Sequence, residues 1–247
     1  RDKINVCVKK GSSNFIKEIL IQKGKQCPQK YKTHETNLNK NIGGETLYMC
    51  TTIEQIGIII DSAFIWGEDK NLYFFKDDQY WKYDIKKKQT EKPSKISSFW
   101  GKIPSGIDAC FTDPHDKKTY FFKGSKFYLY DYKNENIAKG YPKYIKDVWK
   151  GVPDNLDAVF VDYDKNLYFI YKDRYYKWNN SKKKSEIPLL LNRKWVNSPS
   201  NISAMFYRED KKQTYVIQAN KLYKFNNDNK LDSSSPIDIN NEFKTLV

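Results

Sequence analysis

From Ile60 onward the chain sets short apolar runs between polar turns, and the arrangement returns. The stretch Ile60–Asp84, IDSAFIWGEDKNLYFFKDDQYWKYD, places a small apolar run, DSAFIW, before two aromatic-rich runs, NLYFFK and QYWKYD. Runs rich in Tyr, Phe and Trp that are parted by a turn dipeptide, here Asp77-Asp78, predict a β-hairpin. The same order returns from Ile107 (IDACFTDPHDKKTYFFKGSKFYLYD), Leu156 (LDAVFVDYDKNLYFIYKDRYYKWN) and Ile202 (ISAMFYREDKKQTYVIQANKLYKFN), at offsets of 47, 49 and 46 residues. Tyr73, Tyr120, Tyr168 and Tyr215 keep that beat. Each unit also closes on a bulky aromatic: Trp100 in ISSFWGKIP, Trp149 in IKDVWKGVP, Trp195 in LNRKWVNSP and Phe243 in IDINNEF. A period of this length predicts a solenoid or a propeller.

The small residues of DSAFIW suit an inner strand, where several chains converge on a narrow axis. The closing segment predicts a short helix or outer strand that a proline stops. Four such units closed into a ring predict an all-β, four-bladed β-propeller over residues 58–247, with blades of about 58–104, 105–153, 154–199 and 200–247. Radial repetition protects strand edges in such a ring. An open solenoid would need capping repeats, and the chain has no obvious ones. On the propeller reading, Phe64, Phe111, Phe160 and Phe206 occupy equivalent buried places, and strand far exceeds helix.

These residues resemble the hemopexin-like repeat. The resemblance rests on Ile107–Phe111, Tyr120–Gly124, Tyr128–Asp131 and the segment GYPKYIKDVWKGVP from Gly140 to Pro153, and it extends in register through all four units. It implies that Asp61, Asp108, Asp157 and Ser203 sit at the mouth of an axial channel, where their main-chain carbonyls bind a cation. Four such oxygens with waters suit a hard ion, calcium or sodium, in a stabilising role. A second ring, Ala63, Cys110, Val159 and Met205, could hold another ion or a water. Vertebrate members often clasp the first blade to the last with a disulfide, but neither blade contains Cys here. Closure then rests on packing, which leaves those two blades the more prone to fray.

Residues 1–57 form a separate segment with a weaker echo. INVCVKK from Ile4 resembles LYMCTT from Leu47, and CPQKYKTHETNLNKNIGGETLYMC between Cys27 and Cys50 resembles the β-prism repeats of membrane-associated and perforin-like proteins. That likeness implies a small β-rich, prism-like segment, either incomplete or continued upstream of residue 1. Repeat equivalence implies a disulfide between Cys27 and Cys50, with a partner for Cys7 upstream; four free thiols in a cytosolic protein stay open as the alternative. No CxxC or Cys/His spacing suggests zinc.

Composition narrows the function. No run approaches the 18 uncharged apolar residues of a membrane span, and RDKINVCVKK at the start has no apolar signal core, so a leader is absent or removed. The net charge of +14 comes almost wholly from Lys, with Arg only at 1, 174, 193 and 208. Sequence-specific nucleic-acid readers enlist Arg for its bidentate fork, so such binding is disfavoured. A catalytic triad or Cys-His pair needs a histidine beside its partner, and the two histidines, His34 and His115, fall in different segments. One propeller histidine cannot supply two convergent imidazoles, so haem is excluded as a ligand. HExxH is absent, and the carboxylates of GEDKN, DYDKN and REDKK alternate with Lys as solvated turns do. No catalytic group is expected.

The lysines carry the binding expectation. Strands that reverse direction bring the loop joining strands one and two to the same end as the loop joining strands three and four. Lys86, Lys87 and Lys88, with Lys182, Lys183 and Lys184, fall in the latter loops; Lys117 and Lys118, with Lys211 and Lys212, fall in the former. All four clusters should ring one face and meet a polyanionic glycan, acidic lipid or protein surface. The leading expectation is a secreted, non-catalytic binding module for adhesion or targeting, within reach of a larger toxin or pore-forming protein and of further domains or subunits. Its rivals are an exosite fragment of a secreted protease lacking its catalytic domain and a seed-albumin-like storage propeller.

Overall fold

The structure is a computed structural model that describes residues 59–244 together with the strands Asn14–Lys23, Lys32–Asn37 and Leu47–Gln55. The chain divides into two units, each taken by itself. In the first, the three strands make one antiparallel sheet with Leu47–Gln55 in the middle. A single sheet defines no prism, so the prism resemblance rests on sequence alone. Cys7, Cys27 and the Cys50 side chain, and with them the expected disulfide, lie outside the described residues.

The second unit is a four-bladed propeller. Blade one runs through Ser62–Ile65, Leu72–Lys76 and Gln79–Asp84, and two short pieces, Gln89–Thr90 and Ser94–Lys95, pair with opposite ends of its third strand. Blades two and three repeat this from Ala109–Thr112 and Ala158–Val161, each with a divided outer strand; blade four, from Ala204–Arg208, keeps one outer piece, Ile237–Asp238. All pairing within the blades is antiparallel, and the four inner strands lie side by side around the axis, blade four against blade one included.

The second strands explain why LYFF, TYFF and LYFI show no polar alternation. A blade standing radially buries both faces against its neighbours, so a continuous apolar run is required. Four clusters fill the four seams. Phe64, Phe75 and Trp100 join blade one to two; Phe111, Phe122 and Trp149 join two to three; Phe160, Tyr168 and Trp195 join three to four; Phe74, Phe206 and Phe243 join four to one. Phe64, Phe111, Phe160 and Phe206 are all 2–3% exposed. Three of them stack on their own blade's Tyr at ring distances of 5.3–5.4 Å, and Phe64 lies tilted on Tyr73 at 6.1 Å. Each unit's closing aromatic therefore plugs the seam to the next blade. Gly101, directly after Trp100, has φ +60°, and a Cβ there would collide with the Glu135 carbonyl oxygen, so the exit from blade one requires glycine.

Closure between the first and last blades involves more than apolar packing. Arg208, 2% exposed, holds Asp210 through Nε (3.0 Å) and Nη2 (2.7 Å). Its guanidinium lies 5.6 Å from the rings of Tyr83 in blade one and Tyr215 in blade four, and 5.9 Å from Phe243. The REDKK segment thus begins with a buried, ring-closing arginine and departs from a plain solvated turn. Such a cation needs both a carboxylate and aromatic faces to offset its lost hydration, and it has them.

Candidate functional site

The inner strand of each blade pairs on one side only, so its other edge faces the axis. At one mouth of the channel lies a cavity of about 430 Å³ lined by Asp61, Asp108, Asp157 and Ser203. The four are equivalent: their amides donate to Phe75, Phe122, Ile170 and Ile217 at 2.9–3.0 Å, and none of their carbonyls accepts from a described backbone amide. The carboxylates are occupied locally. Asp61 binds Lys76 Nζ (2.9 Å) and the Asp77 amide (2.7 Å), Asp108 binds Lys123 Nζ (2.9 Å) and the Gly124 amide (2.6 Å), and Asp157 accepts from the Lys172 amide. Blade three has Tyr171 where the first two blades carry Lys76 and Lys123. Burial, with the Asp108 charge beside it, pushes the Asp157 carboxyl above the usual range. Ser203 Oγ is buried with no partner.

The second ring behaves differently. The side chains of Ala63, Cys110, Val159 and Met205 pack into the four seam clusters. Burial raises the Cys110 thiol pKa, and its sulfur lies 3.3 Å from Ser62 Oγ, so it is a poor nucleophile. His115 is exposed, its amide donating to Asp113. Among the described residues no group of three His, Cys, Asp or Glu side chains is assembled to hold a metal, and no helix is long and apolar enough to cross a membrane.

The opposite end carries the lysines, and the turns explain their display. In the strand three to four loops, the Asp84 carboxylate accepts from the Lys86 and Lys87 amides, and Asn179 Oδ1 from the Lys182 amide. The backbone polar groups are satisfied locally and the lysine side chains point outward. Lys86, Lys87, Lys88, Lys117, Lys118, Lys182, Lys183, Lys184, Lys211 and Lys212 are all exposed, although Lys184 opens the outer strand Lys184–Ser185, paired with Asn179, instead of lying in the loop. A cavity of about 760 Å³ at this mouth is lined by the strand one to two loops of all four blades, including Lys70, Lys117 and Lys165. Lys88 and Lys211, from different blades, line another.

Lys70 and Lys165 are additions to the sequence reading. With Lys117 and Lys212 they form a fourfold set, each at φ between +53° and +63° and each three residues before the repeating Tyr. The signal was the Asp-Lys pair of the first three units, Asp69-Lys70, Asp116-Lys117 and Asp164-Lys165, with Lys211-Lys212 at the equivalent place in the fourth, which composition alone hides among 44 basic residues. Behind the turns, the Tyr73 and Tyr120 hydroxyls donate to Asp69 (2.8 Å) and Asp116 (2.6 Å). The repeating Tyr is core on its ring and turn anchor at its tip.

Comparison with known proteins agrees with this architecture. The family profile described as Hemopexin matches residues 60–105 and 107–154. The 72 kDa type IV collagenase of Gallus gallus is 49% identical over 120 residues, which is 47% of this chain and 18% of the collagenase. Matrix metalloproteinase-21 of Cynops pyrrhogaster is 36% identical over 143 residues, 52% of this chain and 23% of that protein. The chain thus spans less than a quarter of the length of these relatives. Among solved structures, the hemopexin fold protein CP4 from cow pea superposes with a TM-score of 0.63 at 18% identity, covering 75% of this chain and 95% of that one. The 2S albumin seed protein from Dolichos gives 0.64 at 20% identity, covering 75% and 96%. The described fold is a four-bladed propeller of the hemopexin type. Its first two blades match the Hemopexin profile by sequence, and the other two repeat their architecture.

Proposed function

We propose that residues 58–247 are a secreted, non-catalytic binding module whose basic face docks on a sulphated glycan. One observation carries the reading: lysine clusters from all four blades lie in loops of a single end, exposed and held outward by turns that satisfy their own backbone. Charge of one sign on one face steers and concentrates a partner of the other. Reversing Lys86–Lys88 and Lys182–Lys184 to Glu should shift elution from a heparin column to much lower salt. Unchanged elution would sink the reading, and retention on anionic liposomes alone would move it to lipid.

The module also binds a structural cation at the other mouth. The carbonyls of Asp61, Asp108, Asp157 and Ser203, free of described backbone donors, and the orphaned Ser203 Oγ would hold calcium or sodium. Calcium should raise the melting temperature and a chelator should lower it; no shift in either direction removes the cation. A second reading has the propeller recruiting substrate for a larger secreted protease. The names of the collagenase and metalloproteinase relatives favour it, and protease activity in the full-length product would establish it.

A further inference from the structure

The seam that closes the ring also opens to solvent at the basic end. There a cavity of about 270 Å³ is walled by Tyr83 and Lys88 from blade one and by Arg208, Lys211, Glu242 and Lys244 from blade four. Arg208, itself paired with Asp210, joins Lys88 and Lys211 in facing one lining carboxylate. That carboxylate is already engaged: Glu242 accepts from Lys224 Nζ at 2.9 Å and from the Tyr215 hydroxyl at 3.2 Å, and Arg208 Nη1 lies 3.5 Å away. No ion pair joins Lys88 or Lys211 to a described carboxylate. Positive charge therefore exceeds negative in a recess whose back wall is a buried guanidinium.

We propose that this recess seats one sulfo group of the sulphated glycan. The inference rests on the polyanion reading above and gives it a specific anchor. Arg208 is fixed by Asp210 and three aromatic rings, so the back wall of the recess is built before the ligand arrives, and the Lys88 backbone is set at φ +55° by a turn that Asp84 caps. A multi-donor anion site needs such preorganisation, because flexible lysines alone lose side-chain entropy on binding. An anion here is attracted by blade one and blade four together. Occupancy therefore favours the closed ring, and a ligand that binds only the closed state raises its stability by mass action.

The test uses the full chain, a heparin-derived hexasaccharide as probe, and two double variants of equal charge change on the same face. Lys88→Glu with Lys211→Glu alters the seam; Lys182→Glu with Lys183→Glu alters blade three. All four lysines are exposed, and near-parental melting without ligand will show that both variants fold. The seam variant should lose affinity about tenfold or more and lose the ligand-induced rise in melting temperature, whereas blade three should lose about threefold or less and keep the rise. Equal losses with the rise retained in both variants would overturn the seam site and leave the basic face as a diffuse docking surface. Absence of binding by the parental chain would sink both ideas. Binding to phosphatidylserine vesicles but not to the hexasaccharide would overturn the glycan assignment.

Discussion

Asp69 shows how one carboxylate ties core, turn and surface together. It accepts from the Tyr73 hydroxyl and from the Asn71 amide and side chain, and its Oδ2 lies 2.9 Å from Lys82 Nζ; the turn so formed displays Lys70 at φ +60°. Burial alone would raise its pKa, but Lys82, Asn71 and Tyr73 together hold it below the ordinary 3.8. A lowered carboxylate stabilises the fold above its unfolded value, and the contribution disappears as pH falls through the folded value. Asp69→Asn should thus cost about 1.5–3 kcal/mol at neutral pH, the range for hydrogen bonds to a charged group. The difference from the parental chain should vanish in denaturant titrations carried well below pH 3.8. A cost that stays constant across that range would mean that Asp69 acts by shape and not by charge.

Between elements, the seams share a plan but not a chemistry. Three are plugged by Trp, whose indole Nε1 is buried without a partner at Trp100, Trp149 and Trp195; the fourth uses Phe243 and leaves no such orphan. Unpaired buried donors oppose folding. The closing seam instead takes in charge, with Arg208 where blade one carries Trp66. Arg208→Ala should therefore cost about 2–4 kcal/mol, since it removes charge-assisted bonds and three aromatic contacts. Hydrogen exchange should accelerate first in Ser62–Ile65 and Ala204–Arg208. Trp195→Ala should cost about 3–5 kcal/mol through the cavity it leaves, with exchange faster in blades three and four. Faster exchange spread evenly over all blades after Arg208→Ala would deny it a closing role. Arg208 thus acts as a specific bolt against fraying of the first and last blades, invisible while REDKK is read as a turn.

In the propeller as a whole, every blade lends both faces to its neighbours, so no blade has a core of its own. Deleting residues 200–247 would bare Ile60, Leu72, Phe74 and Trp81, all now at most 3% exposed. The truncated chain should bind a hydrophobic dye and lose its cooperative melting transition. The propeller unit should melt in a single transition when intact. A truncated form that melts as sharply as the whole would contradict the shared-core picture.

Local order and repetition were legible because they are written in neighbouring residues. The hairpins, the seam phenylalanines, the closing aromatics and the fourfold count all follow from patterns within one unit and their recurrence. The divided outer strands were not, since pieces of two residues leave no periodicity to read. Nor was the meaning of Arg208: its aromatic partner Tyr83 lies in the first unit, and only closure of the ring brings the two together. The lysine face stands between these cases. Strand reversal placed the clusters at one end from sequence alone, whereas the meeting of Lys88 with Lys211 across a seam required the ring. Burial and pairing between distant segments depend on where the chain returns in space, and a repeat unit encodes its own fold far better than the contacts its two end copies make.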